Sequence, residues 1–323
     1  MIDASVKLAV AAAIAWLMTR RVPPALASAA HRTWAVVVLS PLLWLGAEAF
    51  FSPAVFVRPA AGTASADLAG RLDALWPLIA AVYLLGATVL LLRILFGVVA
   101  VNSLIARARR VPASELRARM PEFPESVDVR EAAVSVPVTA GFVRPVIVLP
   151  AGWRNFKVRG LTAILRHEAA HVRRRDSLMT FACAVFEALF WFHPAMWFAG
   201  ARVRWFAELA CDAEAARGMA TGEYASELLA LAAEWRDAKR SSYAITAGAA
   251  SGVGRRIAVL IDDLERSRPR RRLLPVAALL IVTLLMLGSA VRVDTNVRPS
   301  SPFLGDWDHE TLHRIRHAHP PGH

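Results

Sequence analysis

Four long apolar segments constrain this chain of 323 residues more than any other feature. They occupy residues 4–18, 34–57, 76–101 and 273–291. Each approaches or exceeds the roughly 20 residues that an α-helix needs to cross a bilayer. Hydrophobic residues make up 56% of the chain, whereas a soluble globular domain has about 45–50%. We therefore predict a mainly α-helical, multi-pass membrane protein with four transmembrane helices.

Positive charge is distributed unevenly between the loops that join these segments. Arg20 and Arg21 follow the first segment, five arginines lie between 107 and 119 after the third, and the run 266–272 precedes the fourth. The loop between the second and third segments has two arginines that two aspartates offset. The positive-inside rule then predicts an inner (cytoplasmic) membrane protein with residues 102–272 in the cytoplasm and both termini outside. This orientation accounts for the net charge of +12, so we expect the lipid bilayer, and no nucleic acid, as a direct partner.

The cytoplasmic part has two kinds of pattern. Residues 125–150 are rich in valine and are interrupted by proline and glycine, which is typical of short strands in a small sheet or hairpin. Residues 158–240 have a helical pattern with few breaks. We predict one α+β domain at 102–272, inserted between the three helices of residues 1–101 and the fourth helix at 273–291, with a short His-rich tail at 292–323.

The motif HEAAH at 167–171 lies within a predicted helix at 160–177. A His-Glu-x-x-His pattern is expected only about 0.02 times by chance in a chain of this composition. His167 and His171 lie one helical turn apart, so both imidazoles can bind one zinc ion. Glu168 is at the edge of the same face, where it can accept a proton from a metal-bound water. The alternative is a surface helix whose histidines and glutamate bind nothing.

A catalytic zinc ion takes a third protein ligand. On a continuous helix Asp176 rotates away from the ligand face, which suits a role behind the ligands or an ion pair with nearby arginines, and Glu187 is a carboxylate in an apolar run that needs a partner. Glu208 and Asp212 in ELACD are one turn apart, so we predict Glu208 as the ligand and Asp212 as the acceptor of a histidine N–H. The alternative is two solvated acids on an arginine-rich helix. The remaining acidic candidates are Glu214 and Glu223.

Residues 178–200 are apolar enough to be a further span. A crossing there would separate Glu208 from His167 and would place the 266–272 arginine run outside, against the positive-inside rule. We therefore predict a membrane-associated hairpin that breaks near His193 and Pro194, because proline disfavours a continuing helix. His193 is left out of the ligand set.

A second His-Glu-x-x-His motif, HETLH, lies at 309–313 in the tail. No aspartate or glutamate follows it, and the predicted topology places it across the membrane from Glu168. We predict that it belongs to a flexible tail without catalytic function.

The ordered set HEAAHVRRRD (167–176), WFHPAMW (191–197) and ELACD (208–212) resembles the BlaR/MecR family of membrane zinc metallopeptidases, the sensor-transducers of β-lactam resistance. The resemblance covers most of residues 1–291. It implies a gluzincin-type site with one zinc ion on His167, His171 and Glu208, and with Glu168 as general base. It also implies cleavage of the protein itself or of a transcriptional repressor. Antibiotic-sensing members carry a penicillin-binding domain with a Ser-x-x-Lys motif after the fourth span; residues 292–323 contain no such motif, so direct β-lactam sensing is not expected.

We accordingly expect a membrane-embedded zinc endopeptidase that cuts itself or a cytosolic regulatory protein in signal transduction. The strand at 138–149 can hold an extended substrate at the sheet edge, and Tyr224 is either an oxyanion donor or a packed helical residue. The alternative function is a signal transducer that does not cut and has a structural zinc site. A transporter is disfavoured because the spans contain few polar residues. The oligomeric state is open, with a homodimer as one alternative.

Overall fold

The computed structural model describes residues 2–20, 22–50, 55–56, 63–124, 126–217, 219–240, 247–265 and 291–292. These residues are mainly helical, with a small sheet. The helices are α1 (Ile2–Thr19), α2 (Ala27–Phe50), α3 (Thr63–Arg107), α4 (Ala113–Arg119), α5 (Val158–Arg174), α6 (Asp176–Leu189), α7 (Pro194–Ala215), α8 (Thr221–Arg240) and α9 (Ala247–Glu265). The strands are β1 (Val55–Phe56), β2 (Arg109–Arg110), β3 (Val129–Ala132), β4 (Val138–Ala140), β5 (Val146–Pro150) and β6 (Val291–Arg292).

One helix among the described residues is long and apolar enough to cross a membrane, Leu75–Arg107 within α3, and a shorter apolar helix is Ser5–Thr19 within α1. Large apolar side chains such as Leu85 and Phe96 are exposed along α3. The helix runs six residues beyond the third predicted span, from 101 to Arg107, into the region assigned to the peptidase domain. The predicted fourth span at 273–291 lies outside the described residues except for Val291, so the four-span topology stays a prediction.

The largest hydrophobic cluster joins α1 and α2 to α6 and α7. Trp34 of α2 is fully buried at its centre, and its Nε1 donates a hydrogen bond to Thr19 Oγ1 at 2.9 Å. The Trp34 ring also meets Phe198 of α7 edge-on, with 5.4 Å between ring centroids. The first two predicted spans therefore pack directly against α7, the helix that carries ELACD.

A four-stranded mixed sheet lies beside this helical layer, with strand order β2-β3-β5-β4. The pair β3 and β5 is parallel, and the other two pairs are antiparallel. All five residues of β5 are buried, and Ile147 and Leu149 pack against Leu161 and Leu165 of α5 in one cluster. The sheet therefore packs against α5 through these apolar side chains. The strand β4 forms one edge, in the part of the chain where the sequence predicted short strands.

The predicted single helix at 160–177 is wrong at its end. The helix α5 stops at Arg174, Arg175 has a left-handed backbone with φ of 56°, and α6 begins at Asp176. The chain therefore turns sharply between His171 and Asp176 instead of continuing along the helix axis. This turn redirects Asp176 toward the motif helix.

Residues 178–200 form a hairpin of α6 and α7, with the break at residues 190–193, next to the predicted His193–Pro194 position. The turn of the hairpin lies against α3, because the Trp191 indole occupies the space where a side chain at Gly86 would be. Trp191 Nε1 also donates to the Tyr83 carbonyl oxygen at 3.3 Å. His193 Nε2 lies 3.1 Å from the Ser5 carbonyl oxygen.

Candidate metal centre

The side chains of His167, His171 and Glu208 converge where α5 crosses α7. One ligand atom from each lies within 4.8 Å of the others. The two histidine Nε2 atoms are 3.2 Å apart. The Glu208 carboxylate places Oε2 3.6 Å from His167 Nε2 and Oε1 3.4 Å from His171 Nε2. Two imidazole nitrogens and one carboxylate oxygen are a donor set that suits catalytic zinc, so these residues fit the metal that their sequence pattern predicts.

Asp212 lies behind His167 and is completely buried. Its Oδ1 is 3.1 Å from His167 Nδ1 and accepts a hydrogen bond from the Tyr224 hydroxyl at 2.8 Å. Burial alone would raise the pKa of the Asp212 carboxyl, but hydrogen bonds from His167 and Arg256 lower it to about 2. An ionised Asp212 favours the tautomer with a proton on His167 Nδ1, which leaves the Nε2 lone pair free for a metal.

Asp176 contacts His171 as Asp212 contacts His167, through the Nδ1 atom of the histidine ring. Its Oδ2 lies 2.9 Å from His171 Nδ1 and accepts from Arg174 Nε at 3.0 Å. Burial would raise the pKa of Asp176, but hydrogen bonds with His171 and Arg174 hold it at about 2. The Cys211 sulfur also lies 3.3 Å from His171 Nδ1. Because Asp176 contacts His171 through Nδ1, it orients the ring and leaves Nε2 for the site that His171 shares with His167.

Arg256 of α9 contacts both acids of the ELACD helix. Its guanidinium donates two hydrogen bonds to Asp212, one of them from Nε at 2.7 Å, and one from Nη1 to Glu208 Oε2 at 2.6 Å. The spacing of the motifs in the sequence did not single out Arg256. A signal was nevertheless present, because Arg256 lies on the face of α9 that buries Val253 and Leu260, and a charge on an apolar helix face needs a partner.

Glu168 lies beside the ligand set, and together they line a cavity of about 920 Å³. Its Oε2 accepts a hydrogen bond from the Thr139 hydroxyl of β4 at 2.6 Å. The cavity is lined by the end of α3, by residues 136–142 around β4, and by parts of α5, α6, α7 and α9. The edge strand β4, the Glu168 carboxylate and the ligand set therefore line one cavity. Sequence periodicity did not single out Thr139.

The other candidate residues lie away from this space. Tyr224 is fully buried on the Asp212 side of His167, so its packed interpretation fits and an oxyanion role does not. Glu187 is paired with Arg204 at 2.9 Å, which supplies the partner that its burial requires. Glu214 and Glu223 pair with arginines at 2.6 and 3.8 Å. The HETLH motif lies outside the described residues.

Comparison with known proteins supports the resemblance drawn from the motifs. The family model described as BlaR1 peptidase M56 matches residues 1–260. The chain is also 26% identical over 139 residues to the regulatory protein BlaR1 of Bacillus licheniformis. That match covers 41% of this chain and 23% of the relative, so the chain spans less than a quarter of the relative's length. The match to the family model implies a membrane-associated metallopeptidase. The predicted relationship is confirmed, and the chain belongs to the BlaR1 peptidase M56 family.

Proposed function

We propose that this protein is a membrane-embedded zinc endopeptidase that cleaves itself or a cytosolic regulatory protein during signal transduction. The observation that carries the proposal is the shared cavity, in which Glu168 lies beside His167, His171 and Glu208. A structural metal site is normally closed, whereas a catalytic one keeps an open position. The half-exposed Glu208, with 37% of its side chain accessible, and the cavity beside it favour the catalytic alternative.

The residues of this chain divide the chemistry between them. His167, His171 and Glu208 would hold one zinc ion, which would polarise a peptide carbonyl and lower the pKa of a water molecule toward ~7. Glu168 accepts the proton from the attacking water and then delivers it to the leaving amine. The Thr139 hydroxyl fixes the Glu168 carboxylate for both transfers. The free edge of β4 binds an extended peptide through backbone hydrogen bonds, which places the scissile bond beside Glu168.

The hairpin of α6 and α7 supports a position at the inner membrane surface. Phe192, Trp197 and Phe198 are each about two-fifths exposed near its turn, and aromatic side chains are favoured at the bilayer interface. The cavity reaches the exposed apolar helix α3 through Val98 and Val101. The strand β1, at the end of the second predicted span, pairs with β6, at the end of the fourth, which is in keeping with these two span ends lying on one side of the membrane. We propose that substrates approach from the inner leaflet.

The partners follow from this placement. We propose the lipid bilayer and a protein or peptide substrate, for which a transcriptional repressor is one candidate, and no direct contact with nucleic acid. A homodimer remains one alternative for the oligomeric state. The competing function is a transducer that changes shape without cutting and uses zinc only for stability.

Substitution of Glu168 by alanine distinguishes the endopeptidase from the transducer that does not cut. In membranes that contain the full chain, we expect the variant to keep its zinc and to lose the cleavage product, whose new terminus is mapped by mass spectrometry. The matched control is Glu122→Ala, because Glu122 is a surface carboxylate with 84% of its side chain exposed. Loss of zinc in Glu168→Ala would support a structural site. Unchanged cleavage and signalling would refute the proteolytic function.

A further inference from the structure

Each of the proposed metal ligands has a partner that fixes its orientation. His167 has Asp212 and His171 has Asp176, at 3.1 and 2.9 Å. Glu208 lies on a different helix from the two histidines. Besides these histidines, its partner among the described residues is Arg256, at 2.6 Å. We propose that Arg256 is the positioning residue of the metal site, which fixes Glu208 as a ligand through one oxygen and connects α9 to the metal. This inference rests on the proposed zinc site.

The geometry of the guanidinium supports a positioning role. Arg256 donates to both oxygens of Asp212 and, with its remaining terminal nitrogen, to Glu208 Oε2. A planar guanidinium presents donors in a fixed fork, so the position of Asp212 fixes the direction of the bond to Glu208. Because Oε2 accepts this bond, Oε1 is the oxygen with both lone pairs free for a metal, and it is the one nearer to His171.

Because Arg256 and Asp212 are buried, water cannot readily replace the hydrogen bonds between them. Only 11% of the Arg256 side chain is accessible, and Asp212 is fully buried. A carboxylate in such a place needs a charged partner, because desolvation is costly without one. Arg256 therefore neutralises Asp212 and orients Glu208 at the same time. The neighbouring Arg255 is exposed and lies over the Trp205 ring at 5.3 Å, away from both acids.

The position of Arg256 in the chain gives the contact a regulatory consequence. Helix α9 ends at Glu265, and the fourth predicted span begins eight residues later at 273. A displacement of α9 would withdraw the guanidinium from Glu208. By thermodynamic reciprocity, if α9 favours metal binding, then metal binding must favour the docked α9.

The test is zinc affinity, measured by competition with a chelator on the full chain in detergent or nanodiscs. Removal of an outer partner of a metal ligand costs about 10–100-fold in affinity, and we expect a loss of this size for Arg256→Gln. The matched control, Arg255→Gln, should bind zinc as the wild type does. A merely structural arginine would lower the thermal stability of the zinc-free protein and leave the affinity of the folded fraction unchanged, which would overturn the proposal.

Hydrogen exchange supplies a second measurement that does not depend on activity. Zinc should slow amide exchange in α9 of the wild type, and it should do so much less in Arg256→Gln. Equal protection in both proteins would refute the connection between α9 and the metal.

Two further variants distinguish a failure of the positioning role from a failure of the proposed metal site. If Arg256→Gln does not fold, Arg256→Lys decides, because an ammonium retains the charge but cannot make the fork to both acids; wild-type affinity in this variant overturns the proposal, and a weakened affinity supports it. Glu208→Gln tests the metal site itself. If it binds zinc like the wild type, the proposed function fails; if it is impaired while Arg256→Gln is normal, only the positioning role fails.

Discussion

Replacing Thr139 with valine should slow peptide cleavage and leave zinc binding unchanged. The two side chains are nearly isosteric, so β4 should keep its place at the sheet edge. The change removes the hydroxyl that donates to Glu168 Oε2 at 2.6 Å. Thr139 does not contact His167, His171 or Glu208 in the described hydrogen bonds, which is why we expect the zinc content to stay the same.

The magnitude follows from the kind of hydrogen bond that is lost. A bond to a charged group contributes about 1.5–3 kcal/mol, and each 1.36 kcal/mol corresponds to a tenfold change in rate. If Thr139 holds Glu168 in the position for proton transfer, the turnover rate should fall about ten- to hundredfold. Thr139→Ser retains the hydroxyl and should keep most of the activity.

The assay is the rate at which the mapped cleavage product accumulates in proteoliposomes, measured with zinc content on the same samples. A wild-type rate in Thr139→Val would show that the hydroxyl does not position the base. A loss of zinc in that variant would show that β4 supports the metal ligands, and the assignment of Thr139 to Glu168 would then be wrong.

Three further predictions concern the ligands, the sheet and the tail. Asp176→Asn should weaken zinc binding about 10–100-fold, measured by chelator competition, because His171 loses its charged acceptor; unchanged affinity would contradict the support role. Glu131 has a pKa lowered chiefly by the hydrogen bond from Arg154, so its contribution to stability is present above its unfolded pKa of about 4.3 and is lost as pH falls through the folded value. Chemical denaturation of Glu131→Gln should therefore show lower stability at neutral pH and a smaller decrease on acidification, and wild-type-like curves would refute this. Finally, His313→Ala should cleave normally and His171→Ala should not cleave; the opposite result would reassign the catalytic motif.

Local sequence periodicity was sufficient to predict which residues of the site share one face of a helix. The four-residue spacing of His167 and His171, and that of Glu208 and Asp212, place each pair on one helical face whatever the rest of the fold does. Pairing the two helices also required that residues 178–200 return to the same side, and the hairpin of α6 and α7 satisfies this. The assignment of these residues as metal ligands stays a prediction until the metal is measured.

The residues that periodicity placed wrongly or missed depend on one local turn or on contacts between distant parts of the chain. Asp176 reaches His171 because one residue, Arg175, adopts a left-handed backbone, which periodicity does not reveal. Thr139 meets Glu168 across 29 residues, and Arg256 meets Asp212 across 44. Apolar content, charge asymmetry and helical spacing are properties of short segments, so the sequence by itself determined the membrane character, the motif helix and its acidic partner helix. Asp212 was predicted from its spacing, but Asp176, Thr139 and Arg256 reach the side chains they orient only when the chain turns at Arg175 and the sheet and helices pack against one another, so the tertiary structure decided these three partners.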